Sequence, residues 1–283
     1  MRSAPAIPRR SRRRLRMKLP GLVGLAIVAF WLLAALIGPR LAPYDVGNIV
    51  DTDVFGAMSG RFPLGTDYLG RDMLSRILYG ARYTIGVALG ATVIACLAGT
   101  TLGMAAAASG GWIDAVMSRA IDALISIPGK MLALVIVAAF GSSIPVLIVT
   151  AAIIYTPGSY RITRSLAVNV NAMDFIQVAR ARGERTLYIV RHEILPNVVG
   201  PVLADLGLRF VYVVLLLSGL SFLGLGIQPP NADWGSLVRE NIGGLSEGAP
   251  AVIMPAFAIA TLTIAVNLLI DNLPGRYRAG SES

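Results

Sequence analysis

Five long runs of uncharged, mostly apolar residues constrain this chain more than any other feature of its sequence. They are Leu19–Pro39, Tyr83–Ile113, Met131–Tyr160, Phe210–Ala232 and Gly248–Ile270. An α-helix rises about 1.5 Å per residue, so about 20 residues cross the hydrocarbon core of a bilayer. Each run is long enough to do so. The runs therefore predict an all-α integral membrane protein.

Composition separates the chain from soluble proteins and from common metalloproteins. Only 14% of its residues are charged, against about 25% in a soluble domain. Cys96 is the single cysteine and lies inside an uncharged run, and His192 is the single histidine. One cysteine cannot form an intramolecular disulfide, and the sequence has no Cys/His cluster for a metal. We expect neither a metal nor another cofactor.

The amino terminus carries eight Lys or Arg residues among its first 18 positions. In a soluble protein this run would indicate nucleic-acid binding, but beside an apolar run it is better explained by membrane orientation. A cleaved signal peptide is the other alternative. Leu19–Pro39 is too long for the usual signal core, and no clear small-x-small cleavage site precedes Tyr44. We predict a basic cytoplasmic tail at 1–18, an uncleaved first span at 19–41 and no nucleic-acid partner.

The run Met131–Tyr160 decides the number of spans. If it crossed once, Arg161–Arg191, with six arginines and two acids, would lie outside, against the bias of basic loops toward the cytoplasm. The conflict disappears if the run forms two short helices that turn at Gly141-Ser142-Ser143 and extend inward past Lys130 and Arg161. The sequence then predicts six transmembrane helices with both termini cytoplasmic.

The segment 174–197, DFIQVARARGERTLYIVRHEILPN, is the most informative part of the chain. Asp174, with Gln177 three residues later, is typical of a capping box at a helix start. Gly183 suits a helix end or a tight turn. These residues predict a short helix that begins at the edge of the loop and turns at Gly183.

A second helical stretch is expected to reach Leu195, with Pro196 restarting the chain in the first turn of the fifth span. The result would be a compact helix–turn–helix knob on the cytoplasmic face. Its small residues, Ala179 and Ala181, would allow a partner to approach closely. An ordinary basic loop is the alternative.

Ionisable and aromatic residues near the later spans give two further expectations. Asp205 and Arg209 have i, i+4 spacing, so they share a helix face and can pair. Within a span, such residues pair structurally or line a cavity, and here they would line a cavity between the spans, form a buried structural pair, or sit at the inner interface if the fifth span starts later. In the second outer loop, about 226–248, Trp234 is expected to anchor the chain at the membrane interface.

These segments resemble the permease subunits of binding-protein-dependent ABC importers. The coupling motif of that family, roughly Glu-Ala-Ala-x-x-x-Gly followed by Ile-Leu-Pro, is matched by Gln177-Val178-Ala179, Gly183 and Ile194-Leu195-Pro196. Blocks at 61–82, 111–128 and 220–240 resemble the peptide-transporting subfamily. Two departures are Gln177-Val178 in place of Glu-Ala, and Ile270 in place of the glycine expected before Asp271.

The resemblance implies a type I importer permease in the bacterial inner membrane. It divides the chain into a periplasmic loop at 42–80, a permease domain at 81–275 with a cytoplasmic coupling loop at 161–196, and a cytoplasmic tail at 276–283. Its implied partners are a second homologous permease, two cytoplasmic ATPases and a periplasmic solute-binding protein. The ATPase-coupling residues that it implies are Asp174, Phe175, Gln177, Ala179, Arg180, Gly183, His192, Leu195 and Pro196.

The implied function is ATP-driven import of di- or oligopeptides or a related small solute, with nickel as the alternative cargo. In such an importer, Asp205 and Arg209 would line the translocation pathway and meet a zwitterionic substrate, or form only a structural pair. The sequence contains no G-x-x-x-x-G-K-[ST] motif, so the energy would come from partner ATPases and the chain would not be an enzyme. A membrane-embedded enzyme would need paired catalytic groups within the spans. An ion channel would need no ATPase.

A motif in the first outer loop has two interpretations. Its glycines and aspartates are good turn formers, so it would pack the loop on the core. The other hypothesis is contact with the solute-binding protein. The residues are Gly65, Thr66, Asp67, Gly70, Arg71 and Asp72.

Overall fold

The computed structural model describes residues 18–272, and this part of the chain is helical, with no β-strand beyond one isolated bridge between Thr66 and Asp72. The tails predicted at 1–18, apart from Lys18, and at 276–283 lie outside the described residues. The elements in chain order are α1 (Leu19–Leu41), α2 (Met73–Ser109), α3 (Gly111–Ile125), α4 (Gly129–Phe140), α5 (Ile144–Asn171), α6 (Asp174–Ala181), α7 (Thr186–Tyr188), a π-helical turn (Ile189–Ile194), α8 (Leu195–Phe222), α9 (Trp234–Glu240), a 3-10 segment (Ile242–Glu247) and α10 (Pro250–Asp271).

Five helical stretches of the described chain are long and apolar enough to cross a membrane: α1, α2, α5, the continuous helix Thr186–Phe222, and α10. A sixth span exists if α3 and α4, which bend by 80° at the break between them, count as one. The all-α membrane fold predicted from the sequence is confirmed.

The predicted turn at Gly141-Ser142-Ser143 is confirmed, because α4 ends at Phe140 and α5 starts at Ile144. Gly141 has φ +83°, in the left-handed region that favours glycine. The second helix was predicted to extend past Arg161. It does, since α5 continues to Asn171.

The predicted inward extension of the other helix past Lys130 holds for only one residue. α4 begins at Gly129 and has 12 residues, or about 18 Å of length, which is too short to span alone. Pro128 provides the physical reason, because proline lacks the N–H that would continue the preceding helix and disfavours helical geometry at the residue before it. The chain breaks there, and α3 supplies the rest of the bent pair.

Small residues let the central helices approach closely. A Cβ added to Gly99 of α2 would lie 2.5 Å from the Cβ of Ser159 in α5, and one added to Gly103 would lie 2.8 Å from the carbonyl oxygen of Tyr160. Transmembrane helices associate through such close backbone packing. The α2–α5 pair thus forms the centre of the subunit, with α8 against it and α1 held on α10 and α2.

Trp234 is not an interfacial anchor, because its side chain is completely buried. The chain folds back after α8, and α9 inserts into the helix bundle. The Trp234 indole donates a hydrogen bond to the carbonyl oxygen of Ile77 at 3.0 Å and packs edge-on against Trp31. Asp233 caps α9 through the backbone N–H of Ser236, and its burial raises the pKa of this carboxyl group.

Ile270, the departure from the glycine expected before Asp271, is accommodated by a glycine on another helix. Ile270 is buried, and a Cβ added to Gly207 of α8 would lie 2.5 Å from its Cδ1. The missing side chain at 207 therefore provides the space that the larger residue at 270 fills.

Candidate functional site

The predicted turn of the knob at residues 174–196 is confirmed at Gly183. Helix α6 ends at Ala181, and Gly183 has φ +81°. The N–H of Gly183 donates to the carbonyl oxygen of Arg180 at 2.9 Å, and the N–H of Glu184 donates to that of Ala179 at 3.2 Å. This pair of bonds defines a Schellman motif, which satisfies carbonyl groups at the end of a helix.

The predicted capping box at the start of α6 is wrong. The helix is preceded by Met173 in extended geometry, no side chain caps it, and Asp174 is already its first residue. A capping carboxylate must sit one residue before the first helical position to reach the free N–H groups. Asp174 still places a negative charge in the first turn, where it is favourable with the helix dipole.

The underside of the knob is anchored to its own subunit. Ile176 and Ala179 are buried in an apolar cluster with Ile189 and Met104. Arg180 adds a hydrogen bond from its Nη2 to Asn171 at 2.8 Å. Ala179 therefore lets α6 approach its own subunit, and its side chain does not face a partner as predicted.

The side of the knob opposite the buried Ile176 and Ala179 exposes apolar side chains. Phe175 is 40% exposed, Val178 is 50% exposed and Leu187 is 78% exposed. Gln177 and Ala181 are exposed beside them. Exposed apolar residues on a rigidly anchored element are typical of a protein-binding surface.

Pro196 lies in the first turn of α8, as predicted. The chain does not break before it, because the π-helical turn Ile189–Ile194 leads directly into α8 and the helix is continuous from Thr186 to Phe222. Leu195 donates its N–H to the carbonyl oxygen of Val190, five residues back. This wider turn accommodates a proline that cannot donate. His192 is exposed and stacks on Tyr188 with ring centroids 4.5 Å apart.

The outer-loop motif is centred on Asp67, which is completely buried. Its carboxylate accepts hydrogen bonds from the backbone N–H groups of Leu69 and Arg71 at 2.8 and 2.9 Å. It also accepts from the Arg71 Nε at 2.7 Å and the Arg76 Nη1 at 2.6 Å. One carboxylate thus holds the turn and joins it to α2.

The rest of the motif closes the same turn. Gly65 and Gly70 both have φ +74°, and a Cβ on Gly70 would lie 2.1 Å from the carbonyl oxygen of Asp51. Thr66 accepts a hydrogen bond from the N–H of Gly56 at 2.8 Å. Asp72 caps α2 through the N–H of Ser75. These contacts favour the structural interpretation of the motif.

Sequence reasoning missed Arg76, Glu240 and Asn241. Arg76 forms an ion pair with Glu240 at 2.8 Å, and Asn241 accepts a hydrogen bond from the N–H of Tyr68 at 3.0 Å. These contacts tie the first outer loop to α9. The available signal was Arg76 itself, a charged residue in the first turns of the mostly apolar α2, but the pairing joins distant parts of the sequence.

Asp205 and Arg209 form the predicted ion pair on α8. The Arg209 Nε and Nη2 donate to the two carboxylate oxygens at 2.8 and 3.0 Å. Ser159 of α5 donates to the same carboxylate at 2.8 Å. Asp205 is buried and 12% of the Arg209 side chain is exposed. The pair therefore connects α8 with α5 inside the bundle.

Residues 99–279 match the model of the binding-protein-dependent transport system inner membrane component family. The chain belongs to this family. Residues 9–55 additionally match the N-terminal transmembrane domain of oligopeptide transport permease C. The two matched regions lie on either side of the outer-loop motif.

Several curated proteins resemble this permease over most of its length. It is 33% identical to a dipeptide transport system permease protein of Alkalihalophilus pseudofirmus over 89% of this chain and 83% of the relative. It is 34% identical to a glutathione transport system permease protein of Pectobacterium atrosepticum over 88% and 81%. It is 31% identical to a di/tripeptide transport system permease protein of Pseudomonas aeruginosa over 90% and 85%.

The resemblance inferred from the coupling motif and the other blocks is thereby confirmed, and the chain is a multi-pass transport permease. The hypotheses of a membrane-embedded enzyme and of an ion channel fall outside this family. Among residues 18–272, no group of three or more His, Cys, Asp or Glu side chains is arranged to hold a metal. The roles of individual residues in coupling and in the pathway stay predictions.

Proposed function

We propose that this permease forms half of the translocation pathway of an ATP-driven importer for di- or oligopeptides in the bacterial inner membrane. A second homologous permease completes the pathway, two ATPases bind from the cytoplasm and a solute-binding protein delivers the cargo. The family membership and the peptide and glutathione cargoes named for its relatives support this proposal.

The burial pattern of the knob is the observation that supports its proposed role in binding the ATPases. Its inner side is fixed by buried Ile176 and Ala179, while Phe175, Val178 and Leu187 point outward. A rigid base lets the knob move as one body with the spans when the ATPases close. The Arg and Lys excess of the predicted cytoplasmic segments supports placing it on the cytoplasmic face.

Co-purification tests the proposed function directly. We expect a tagged copy of this chain to bring down a second permease and two ATPase subunits from its native membrane. We also expect ATP-dependent uptake of a radiolabelled dipeptide, but not of nickel, when the solute-binding protein is present. Purification of the chain without any ATPase would contradict the proposal, and nickel uptake alone would overturn the peptide part of it.

The proposed orientation makes a separate prediction. With Cys96 replaced by alanine, Ser142→Cys is expected to react with an impermeant thiol reagent in intact cells, because it lies in the turn between α4 and α5. Thr186→Cys is expected to react only after the membrane is permeabilised, because it lies in the exposed knob. Labelling of position 186 from outside would reverse the orientation and exclude six spans with cytoplasmic termini.

A further inference from the structure

The environment of Arg209 differs from that of a purely structural ion pair. Arg209 and Gly158 lie about 20 Å from the neighbouring ends of their helices at Phe222 and Ile144. With those helix ends at the outer boundary of the hydrocarbon core, which is about 30 Å thick, both residues lie inside the core. An ionisable residue at this depth is a candidate functional group.

The Arg209 guanidinium has donors that its partner does not use. A guanidinium carries five N–H bonds, and Asp205 accepts two of them, from Nε and Nη2. Nη1 makes no hydrogen bond within the described part of the chain, and it is not among the unpaired side-chain atoms that are fully buried. Because such donors are costly to leave against lipid, this face of the subunit requires water, a ligand or a polar group of a neighbouring subunit.

Gly158 positions these donors. A Cβ at position 158 would lie 2.2 Å from the Arg209 Nη1 and 2.6 Å from its Cζ. The absence of a side chain therefore lets the guanidinium lie flat against α5. Any larger residue would push the guanidinium away from this helix.

Two tyrosines and a lysine place polar groups on the surrounding face, which is otherwise mostly apolar. One turn before Gly158, Tyr155 donates from its hydroxyl to the carbonyl oxygen of Tyr212 at 2.9 Å, and Tyr212 is 53% exposed. Tyr155 and Lys130 also line a cleft of about 330 Å³ below the bend between α3 and α4. The charged groups on or next to this face are Lys130, the Arg209–Asp205 pair, and Arg161, which lies three residues after Gly158 and pairs with Asp122. The two ion pairs balance, so Lys130 leaves a net positive charge that favours an anion.

Asp205 has little capacity left for the amino group of a substrate in this arrangement, because it is buried and three of the roughly four acceptor sites of its carboxylate are occupied. Its Oδ2 already accepts from Ser159 and from the Arg209 Nε, and its Oδ1 accepts from the Arg209 Nη2. The pair therefore does not hold both ends of a zwitterion. Asp205 is a positioning residue that fixes the guanidinium and leaves Nη1 free.

We propose that Arg209 binds the C-terminal carboxylate of the transported peptide as it passes the middle of the membrane. This inference rests on the proposed peptide-import function. The terminal carboxylate is the anionic group that peptides share regardless of sequence, and a guanidinium donates to carboxylates through short charge-assisted hydrogen bonds. One Arg can thus serve many peptides.

The first test asks whether the face is aqueous. In a Cys96→Ala background, Tyr212→Cys is expected to react with a water-soluble thiol reagent in the assembled transporter. Leu25→Cys, on the exposed apolar surface of α1, is the matched control and is expected to stay unreactive. Equal, low reactivity at both positions would place Arg209 against lipid or protein and overturn the proposal.

The second test asks whether Arg209 binds the C-terminal carboxylate of the transported peptide. Two peptides of one sequence, with a free or an amidated C-terminus, are supplied at concentrations that saturate the solute-binding protein. The wild-type transporter is expected to favour the free acid by about 10- to 100-fold, the range for losing a hydrogen bond to a charged group. Arg209→Lys retains the charge opposite Asp205 but lacks the free Nη1, and is expected to lose most of this preference, measured as the ratio of free-acid to amide uptake at equal membrane abundance.

Two results would overturn the proposal. One is equal uptake of the free-acid and amidated peptides by the wild-type transporter. The other is an equal loss of uptake of both peptides in Arg209→Lys, since that would assign Arg209 a structural role only. Membrane abundance and ATPase pull-down of the variant serve as the structural controls. If the wild-type complex carried neither peptide, the proposed peptide function would fail, while the thiol-reactivity test would still report whether the face is aqueous.

Discussion

Asp67→Ala is expected to remove most of the folded permease from the membrane. The carboxylate of Asp67 is completely buried and accepts from two backbone N–H groups and from Arg71 and Arg76. Its removal leaves a buried arginine without this partner, and breaking a buried ion pair typically costs about 3–5 kcal/mol. Membrane abundance and the thermal unfolding midpoint in detergent measure the effect.

Asp53→Ala is the matched control, because Asp53 lies in the same outer loop and is exposed. An exposed substitution of this kind is expected to change stability by less than about 0.5 kcal/mol. Asp67→Asn is expected to lie between the two, since an amide oxygen can still accept hydrogen bonds but carries no charge. If Asp67→Ala were as stable as Asp53→Ala, the outer-loop cluster would not hold the loop on α2 and α9.

Features that depend on local chemistry or on charge balance could be predicted from the sequence. The break at Gly141-Ser142-Ser143 followed from the arginines beyond it, because a single span would have put them on the wrong side. The turn at Gly183 followed from the preference of glycine for positive φ at a helix end. The signal at Gly183 depends on a few neighbouring residues, and the signal at 141–143 depends on the bias of basic loops toward the cytoplasm.

Features that depend on distant contacts could not be predicted in the same way. Trp234 was expected at the interface because aromatic residues collect there, but α9 folds back and buries it against α2 and Trp31. The pairing of Arg76 with Glu240 has no local sequence signal. Asp174 was misplaced by one position, since Met173 and Asp174 are both compatible with a helix start and tertiary packing chooses between them.

The Asp205–Arg209 pair lies between these cases. Its i, i+4 spacing predicted the contact, and the structure has it with two hydrogen bonds. The sequence left open whether the pair faces substrate or only supports the fold. The guanidinium of Arg209 occupies the space that the missing side chain of Gly158 leaves, and its Nη1 stays unpaired. Both features depend on how α5 packs against α8, and neither helix's sequence pattern alone predicts that packing.

Gly183→Val is expected to abolish peptide uptake while the permease still inserts in the membrane. Gly183 has φ +81°, a conformation that costs a β-branched residue about 1–3 kcal/mol. A Cβ there would meet no neighbouring atom within 4 Å, so the effect arises from backbone strain and not from a clash. The strained turn would reorient α6 and its exposed Phe175 and Val178 relative to Leu187, and the ATPase subunits would lose their contact surface or their coupling to the spans.

Gly183→Asn is the matched control, because asparagine adopts the left-handed conformation more readily than other non-glycine residues. It is expected to retain most of the uptake and ATPase pull-down of the wild type. The measurement is uptake and pull-down for both variants at equal membrane abundance, which separates a docking defect from a loss of protein. Wild-type uptake in Gly183→Val would mean that residues 174–196 are an ordinary basic loop, and the ATPase would then have to bind a different part of the cytoplasmic face.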